Sequence, residues 1–176
     1  MKHDTAGPRQ HGPSRRPPFI EIVWSWIGAA SGIGLVGVLA HWWSRPAGLM
    51  LIGSYGASAG LLYGAPRSPL AQPRNLLGGH ILSAIVGVAC YQLFPDNQPL
   101  AAALAVATAI SVMQITRTLH PPGGATALIA VLGPQAVHDT GWLFPVPVAL
   151  GAGILLAVAL VVNNLSRQHR YPEHWF

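Results

Sequence analysis

Two histidines and three arginines, His80, His120, Arg67, Arg74 and Arg117, lie inside or beside apolar stretches with no acidic neighbour in sequence. Cations and titratable donors placed this way suit the recognition of an anion. The segment RTLHPPGGATAL, residues 117–128, sets Arg117 and His120 ahead of two prolines, the glycines Gly123 and Gly124, and Thr126. A fainter counterpart, YGASAG at 55–60, holds Tyr55, Gly56, Ala57 and Ser58. The Ser58 and Thr126 hydroxyls are donors, and the glycines let a ligand approach backbone N–H groups closely. Small residues of this kind also serve tight helix packing in membranes, so no single one is diagnostic. His80 has the plainer option of bonding a carbonyl, and the arginines that of marking the headgroup region. His120, beside the helix breaks, is the stronger functional candidate.

Other chemistries find less support. The eight histidines show no close pair at helical ligand spacing, and the single cysteine, Cys90, has no partner, so neither a metal site nor a disulfide is expected. No cofactor is expected either. Asp4, Glu21, Asp96, Asp139 and Glu173 are the only carboxylates, and none falls within an apolar run. That disfavours cation transport and leaves histidine as the one group able to couple a proton. An enzyme acting on lipid or quinone with His120 as general base lacks a carboxylate or nucleophile partner, and a non-enzyme is expected. A membrane scaffold is the remaining alternative; its mark would be a tightly packed centre with no polar cavity at Ser58 and Thr126.

The elements that must position these residues are membrane helices. Of 176 residues, 51% are hydrophobic and 9% charged, against about a quarter charged in soluble domains. The net charge of +5 comes from scattered Lys and Arg rather than a basic face, so nucleic acid is not an expected partner; the lipid bilayer is. Residues 1–18 are rich in Pro, Gly, His and Arg and read as a disordered cytoplasmic tail, 19–166 as the membrane domain, and 167–176 as a cytoplasmic C-terminal tail. His41, Trp42 and Trp43, and Tyr171, Trp175 and Phe176, have the composition of interfacial belts.

Apolar runs cover 22–43, 47–64, 76–94, 99–115, 124–133 and 144–165. The fifth is too short for a regular span, which takes about 20 residues. GASAGLLYGAP from Gly56 and GATALIAVLGP from Gly124 are similar at an offset of 68 residues. That offset maps the first three runs onto the last three. The expected fold is therefore an all-α polytopic helical bundle of two inverted three-element repeats, each middle element a broken helix. In each, an irregular leg (116–123 in the second) would lead to a helix opening at Gly-Ala-Ser/Thr-Ala. The two helix N-termini would approach each other at the midplane from opposite sides, where their free N–H groups favour an anion. Six crossings with a cytoplasmic N-terminus place only Arg45 outside among the arginines, in keeping with the positive-inside rule, and put both termini on the cytoplasmic side of an inner (plasma) membrane.

GASAGLLYGAPRSPLAQPRNLLGGHILSAIVGV and TRTLHPPGGATAL, with the closing YPEHW, resemble the HPP family of integral membrane proteins, named for the motif found here as His120-Pro121-Pro122. The resemblance runs over about 47–175. It implies a small membrane protein of four or five spans and, because some members are nitrite transporters, transport of nitrite; the residues alone imply only a small anion. Some relatives carry a nucleotide-binding extension after the membrane domain, and control through such a domain is not expected here. A homo-oligomer is compatible with a protein of this size.

Overall fold

The computed structural model describes residues 16–43, 53–166 and 170–175. Its elements are helical: α1 Phe19–Trp43, α2 Ser54–Gly64, α3 Pro73–Leu93, α4 Gln98–Ile115, α5 Pro121–Leu132, α6 Gln135–Thr140 and α7 Pro145–Leu165, with single 3-10 turns at Pro69–Ala71 and Gly141–Leu143. Four of them, α1, α3, α4 and α7, are long and apolar enough to cross a membrane. At about 1.5 Å per residue, the 21 residues of α3 or α7 match a hydrocarbon core of about 30 Å. The 11 residues of α2 and 12 of α5 reach about half that distance. The chain is thus a polytopic helical membrane protein with two half-length helices.

Start signals explain the boundaries. Prolines open α3, α4, α5 and α7 at their first or second positions, where the missing N–H is not needed by the helix and the fixed φ is already helical. Asn97 adds a side-chain cap, its oxygen accepting from Leu100 N–H at 3.2 Å.

This same property corrects the expectation for 116–123. The helix does not wait for Gly124; it starts at Pro121, with both prolines in its first turn, and only 116–120 is irregular. Proline breaks a helix that precedes it and begins one that follows it. The 68-residue offset carries α2 onto 122–132, within one residue of α5. The interruption expected at 53–56, with a helix opening at Gly56, is corrected likewise: α2 starts at Ser54 and runs through these positions. The Trp42 and Trp43 side chains and Phe176 lie outside the described residues. Helix α6 was not foreseen, since its sequence QAVHDT has no apolar run.

Helix α3 is the centre of the bundle. It packs against α4 and α5 on one side and α7 on another, while α1 and α2 pack on α7. Two apolar cores result. One joins α1, α2, α3 and α7 through Val36, Leu62, Leu76, Val148 and Leu155. The other, built largely of alanine, joins α3, α4 and α5 through Ala101, Ala105, Ala109 and Ala127. Lipid is as apolar as leucine, so helices here associate by close packing. Gly87 shows how close: a Cβ there would lie 2.6 Å from Ala130 Cβ and 2.7 Å from the Ala127 carbonyl oxygen.

Residues 170–175 fold back on the α2–α3 connection. Tyr171, expected in an interfacial belt, is buried against the protein, and its hydroxyl donates to the Ala71 carbonyl at 2.8 Å. Glu173 N–H donates to Gln72 Oε1 at 3.0 Å, and Asn164 Nδ2 to the Tyr171 carbonyl at 2.6 Å. Burial, and then neighbouring Tyr63, raise the Tyr171 hydroxyl above its ordinary range.

Two outcomes follow from this packing. Gly87→Val should lower stability by about 1–3 kcal/mol through overpacking, seen as a lower melting temperature in detergent. Gly153→Ala, which meets open space, should leave it unchanged or slightly higher. Because the folded state holds Tyr171 protonated, its contribution is full below a tyrosine's ordinary value of about 10 and is lost as pH rises beyond it. Protease accessibility of the C-terminal segment should therefore increase at alkaline pH in the native chain, and the Tyr171→Phe variant should show less of that increase.

Candidate functional site

The first turn of α3 and the turn after α4 build the site's floor. Arg117, at φ 57°, reverses the chain after α4. Its N–H donates to the Gln114 carbonyl at 3.2 Å and Thr118 N–H to that of Met113 at 2.8 Å, which satisfies these two carbonyls in the last turn of α4. Arg74 Nη2 donates to the Thr116 carbonyl and Asn75 Nδ2 to that of Leu119, both at 2.8 Å. Gly78 and Gly79 then let the segment lie against α3. A Cβ on Gly79 would come within 2.5 Å of His120 Cβ, and one on Gly78 within 2.6 Å of Thr118 Cγ2. The Gly-Gly ahead of His80 thus makes room for His120.

The two imidazoles and three hydroxyls form one chain of hydrogen bonds. Ser58 Oγ lies 2.7 Å from His80 Nε2 and 2.9 Å from His120 Nε2. His80 Nδ1 lies 2.7 Å from Thr126 Oγ1, which donates to Ser54 Oγ at 2.8 Å. His120 Nδ1 donates to the Leu70 carbonyl at 2.8 Å. Ser58 Oγ also reaches its own helix at the Ser54 carbonyl, a longer contact of 3.2 Å. Ser58, His80, His120 and Thr126 have no exposed surface. A buried polar group without a partner would cost about 1–3 kcal/mol, and here each is partnered. The rings of His80 and His120 stand 5.1 Å apart, and the Tyr55 ring meets His80 edge-on at 5.2 Å.

These contacts fix how the half-length helices meet. Moving forward along α2 from Ser54 to Ser58 moves backward along α5 from Thr126 to His120. The helices are therefore antiparallel and their N-terminal turns overlap side by side, rather than pointing at one another across a gap. His80 is the eighth residue of α3, about 10 Å from its start, so the cluster sits about 5 Å short of the helix middle.

Of the sequence candidates, the structure brings together Tyr55, Ser58, His80, His120 and Thr126. It does not bring the others to the cluster. Gly56 and Ala57 are exposed on the outer face of α2. Gly123 is pressed against α3, where a Cβ would lie 2.8 Å from the Gly79 carbonyl oxygen, and Gly124 faces Val106 of α4. Arg74 and Arg117 are exposed. It is His120, not His80, that bonds a carbonyl. Ser54 was missed, although its place four residues before Ser58 puts both hydroxyls on one helix face. The Leu70 carbonyl left no trace a side-chain pattern could show. Among the described residues, no three histidine, cysteine or carboxylate side chains gather as metal ligands would.

A multi-pass helical membrane protein with a buried histidine–hydroxyl cluster between two half-length helices is the class that fold and site define. The profile described as HPP, transmembrane region, matches residues 14–172, and the chain belongs to that family. It is similar to two transmembrane proteins of Dictyostelium discoideum. One is 46% identical over 94% of this chain and 60% of its own length, the other 45% identical over 92% and 53%. The chain thus spans little more than half the length of these curated relatives. No solved structure matches.

Because both rings share the Ser58 oxygen, His80→Ala and His120→Ala should each destabilise the protein by about 1–3 kcal/mol, while the double variant should cost less than their sum. Denaturant or thermal unfolding in detergent measures this. Simple additivity would mean that the two rings are held independently.

Proposed function

We propose that this protein carries nitrite, or a similar small monovalent anion, across an inner (plasma) membrane, with both termini on the cytoplasmic side and the cluster of Ser54, Ser58, His80, His120 and Thr126 on its path. The carrying observation is the cluster itself: fully buried imidazole and hydroxyl donors, with no carboxylate bonded to them, between helices too short to span. A desolvated anion is very costly unless several donors meet it together. A cation would want carboxylates, which α2, α3, α4, α5 and α7 lack altogether. Nitrite is preferred over other small anions because members of the HPP family transport it. The arrangement is read as transport rather than catalysis, and the two half-length helices of this chain as the middle elements of an inverted pair.

In the closed form described, the donors bond one another, so an anion must displace those bonds. Helix α2 is suited to move: at Gly56, Gly60 and Gly64 no described residue stands where a side chain would be. Beside it runs an open groove lined by Ala57, Leu61, Pro121, Pro122 and Ala125. Parting α2 from α5 along this groove would expose Ser58 and Thr126. The same closure favours a second reading, a non-transporting scaffold, since the four central side chains have no exposed surface.

Flux into liposomes separates the two. Purified protein should pass nitrite faster than empty liposomes, with nitrate, formate and chloride as competitors. His120→Ala should lower the nitrite rate by about tenfold, the equivalent of one hydrogen bond to the anion. Folded protein that passes no nitrite would refute the transport reading and favour the scaffold.

A further inference from the structure

Hydrogens can be counted along the chain from Ser54 through Thr126, His80, Ser58 and His120 to Leu70. A carbonyl only accepts, so His120 Nδ1 carries a hydrogen. With both rings neutral, His120 Nε2 accepts from Ser58, Ser58 accepts from His80 Nε2–H, and His80 Nδ1 accepts from Thr126. The Thr126 oxygen then accepts from the Ser54 hydroxyl, 2.8 Å away. If Thr126 does donate to Ser54, every bond reverses. His80 must donate from Nδ1, Ser58 must donate to His80 Nε2, and the Ser58 oxygen can only accept from His120 Nε2. His120 then holds hydrogens on both nitrogens and is an imidazolium. The same heavy atoms serve two arrangements that differ by one proton, because each hydroxyl hydrogen can swing between its two neighbours.

We propose that the cluster is a proton relay that takes up one proton with each anion, so that transport is proton-linked; this rests on the transport reading above. The step balances without any redox change. A proton delivered by hydronium to the Thr126 oxygen, leaving water, replaces the hydrogen that Thr126 passes to His80 Nδ1. His80 releases its Nε2 hydrogen to Ser58, and Ser58 passes its own to His120 Nε2. With the hydronium O–H counted, four N–H or O–H bonds break and four form, and the single positive charge comes to rest on His120. That charge is what the neutral cluster lacks, and a monovalent anion beside it is compensated. Anion and proton then strengthen each other's binding by the same factor.

The surroundings leave the relay isolated. Helices α4 and α7 have no titratable side chain, and α5 has none beyond its capping His120. From α2, Tyr55 faces His80, but its hydroxyl is committed to the Val148 carbonyl at 2.7 Å, and Tyr63 donates to that of Leu155. On α3, Arg74 turns to Thr116 and Tyr91 stacks on His138, while Cys90 lies ten residues beyond His80. The turn Pro69–Ala71 contributes only its carbonyl.

The test uses nitrogen-15-labelled histidine in the full chain in bilayers, with His80→Gln and His120→Gln to assign the signals. Acidification should protonate His120 fully and, in the same step, switch His80 from Nε2–H to Nδ1–H. Thr126→Val should abolish the switch and Thr126→Ser should keep it, the second variant guarding against a mere packing defect. In liposomes, an acid-outside gradient should drive nitrite uptake above the empty-liposome rate. That drive should fall about tenfold in Thr126→Val, the equivalent of one lost hydrogen bond. Nitrite flux that ignores the gradient, with His80 unchanged as His120 titrates, would overturn the relay and leave the transport reading standing. A concerted switch with no flux of any anion would do the reverse.

Discussion

Ser58 has one hydrogen and stands between two imidazole nitrogens, 2.7 Å from one and 2.9 Å from the other. It cannot donate to both. Much of the architecture serves to hold that contact. Helix α3 brings His80, the turn after α4 brings His120, and α2 supplies the hydroxyl. The fourth partner, Thr126 of α5, closes the chain from the far side of His80.

Why half-length helices should be needed follows from the same contact. A full-length helix offers the bundle interior only side chains, since its backbone polar groups bond one another along its length. Here the start of α5 lies inside the bundle, and His120 enters from its N-cap position, where φ and ψ are extended and the side chain leaves at an angle no helical residue has. The irregular segment that delivers it is tolerated at depth because α3 satisfies it: Arg74 and Asn75 take the Thr116 and Leu119 carbonyls, and glycines at 78 and 79 let the backbones close. The prolines of the His-Pro-Pro triplet sit at the first two helical positions and start the half-helix behind His120.

How legible this was in the sequence differs by element. The long helices α1, α3, α4 and α7 show as apolar runs, and the two segments similar at an offset of 68 residues fall largely within α2 and α5. The start of α5 was misplaced because proline was weighed as a breaker when its position made it an initiator. His80, His120, Ser58 and Thr126 stand out as polar residues in apolar surroundings, and they do meet. Gly123 and Gly124 look the same in sequence as ligand-approach glycines but face α3 and α4. A glycine states that something comes near and not what. The Leu70 carbonyl and the side-by-side overlap of α2 with α5 depend on backbone paths that no side-chain pattern encodes.

A closed polar cluster and a conducting path are compatible only if opening costs little. The apolar packing around α3, α4 and α5 is tight enough that a single added carbon at Gly87 would collide, so that half of the molecule is a poor hinge. Helix α2 differs. Its inner face holds Tyr55, Ser58, Leu62 and Tyr63, while its outer face presents glycines with nothing opposite them among the described residues. Two of its inward contacts are tyrosine hydroxyls on carbonyls of α7, at Val148 and Leu155, and these can hold the helix to α7 while its edge turns from α5. The bonds that such a turn would break are those of Ser58 and Ser54 to the histidines and Thr126, the same bonds whose direction depends on one proton. Charge on the cluster and separation of α2 from α5 would then be a single event: an anion that replaces the Ser58 contacts offers His120 the acceptor it loses.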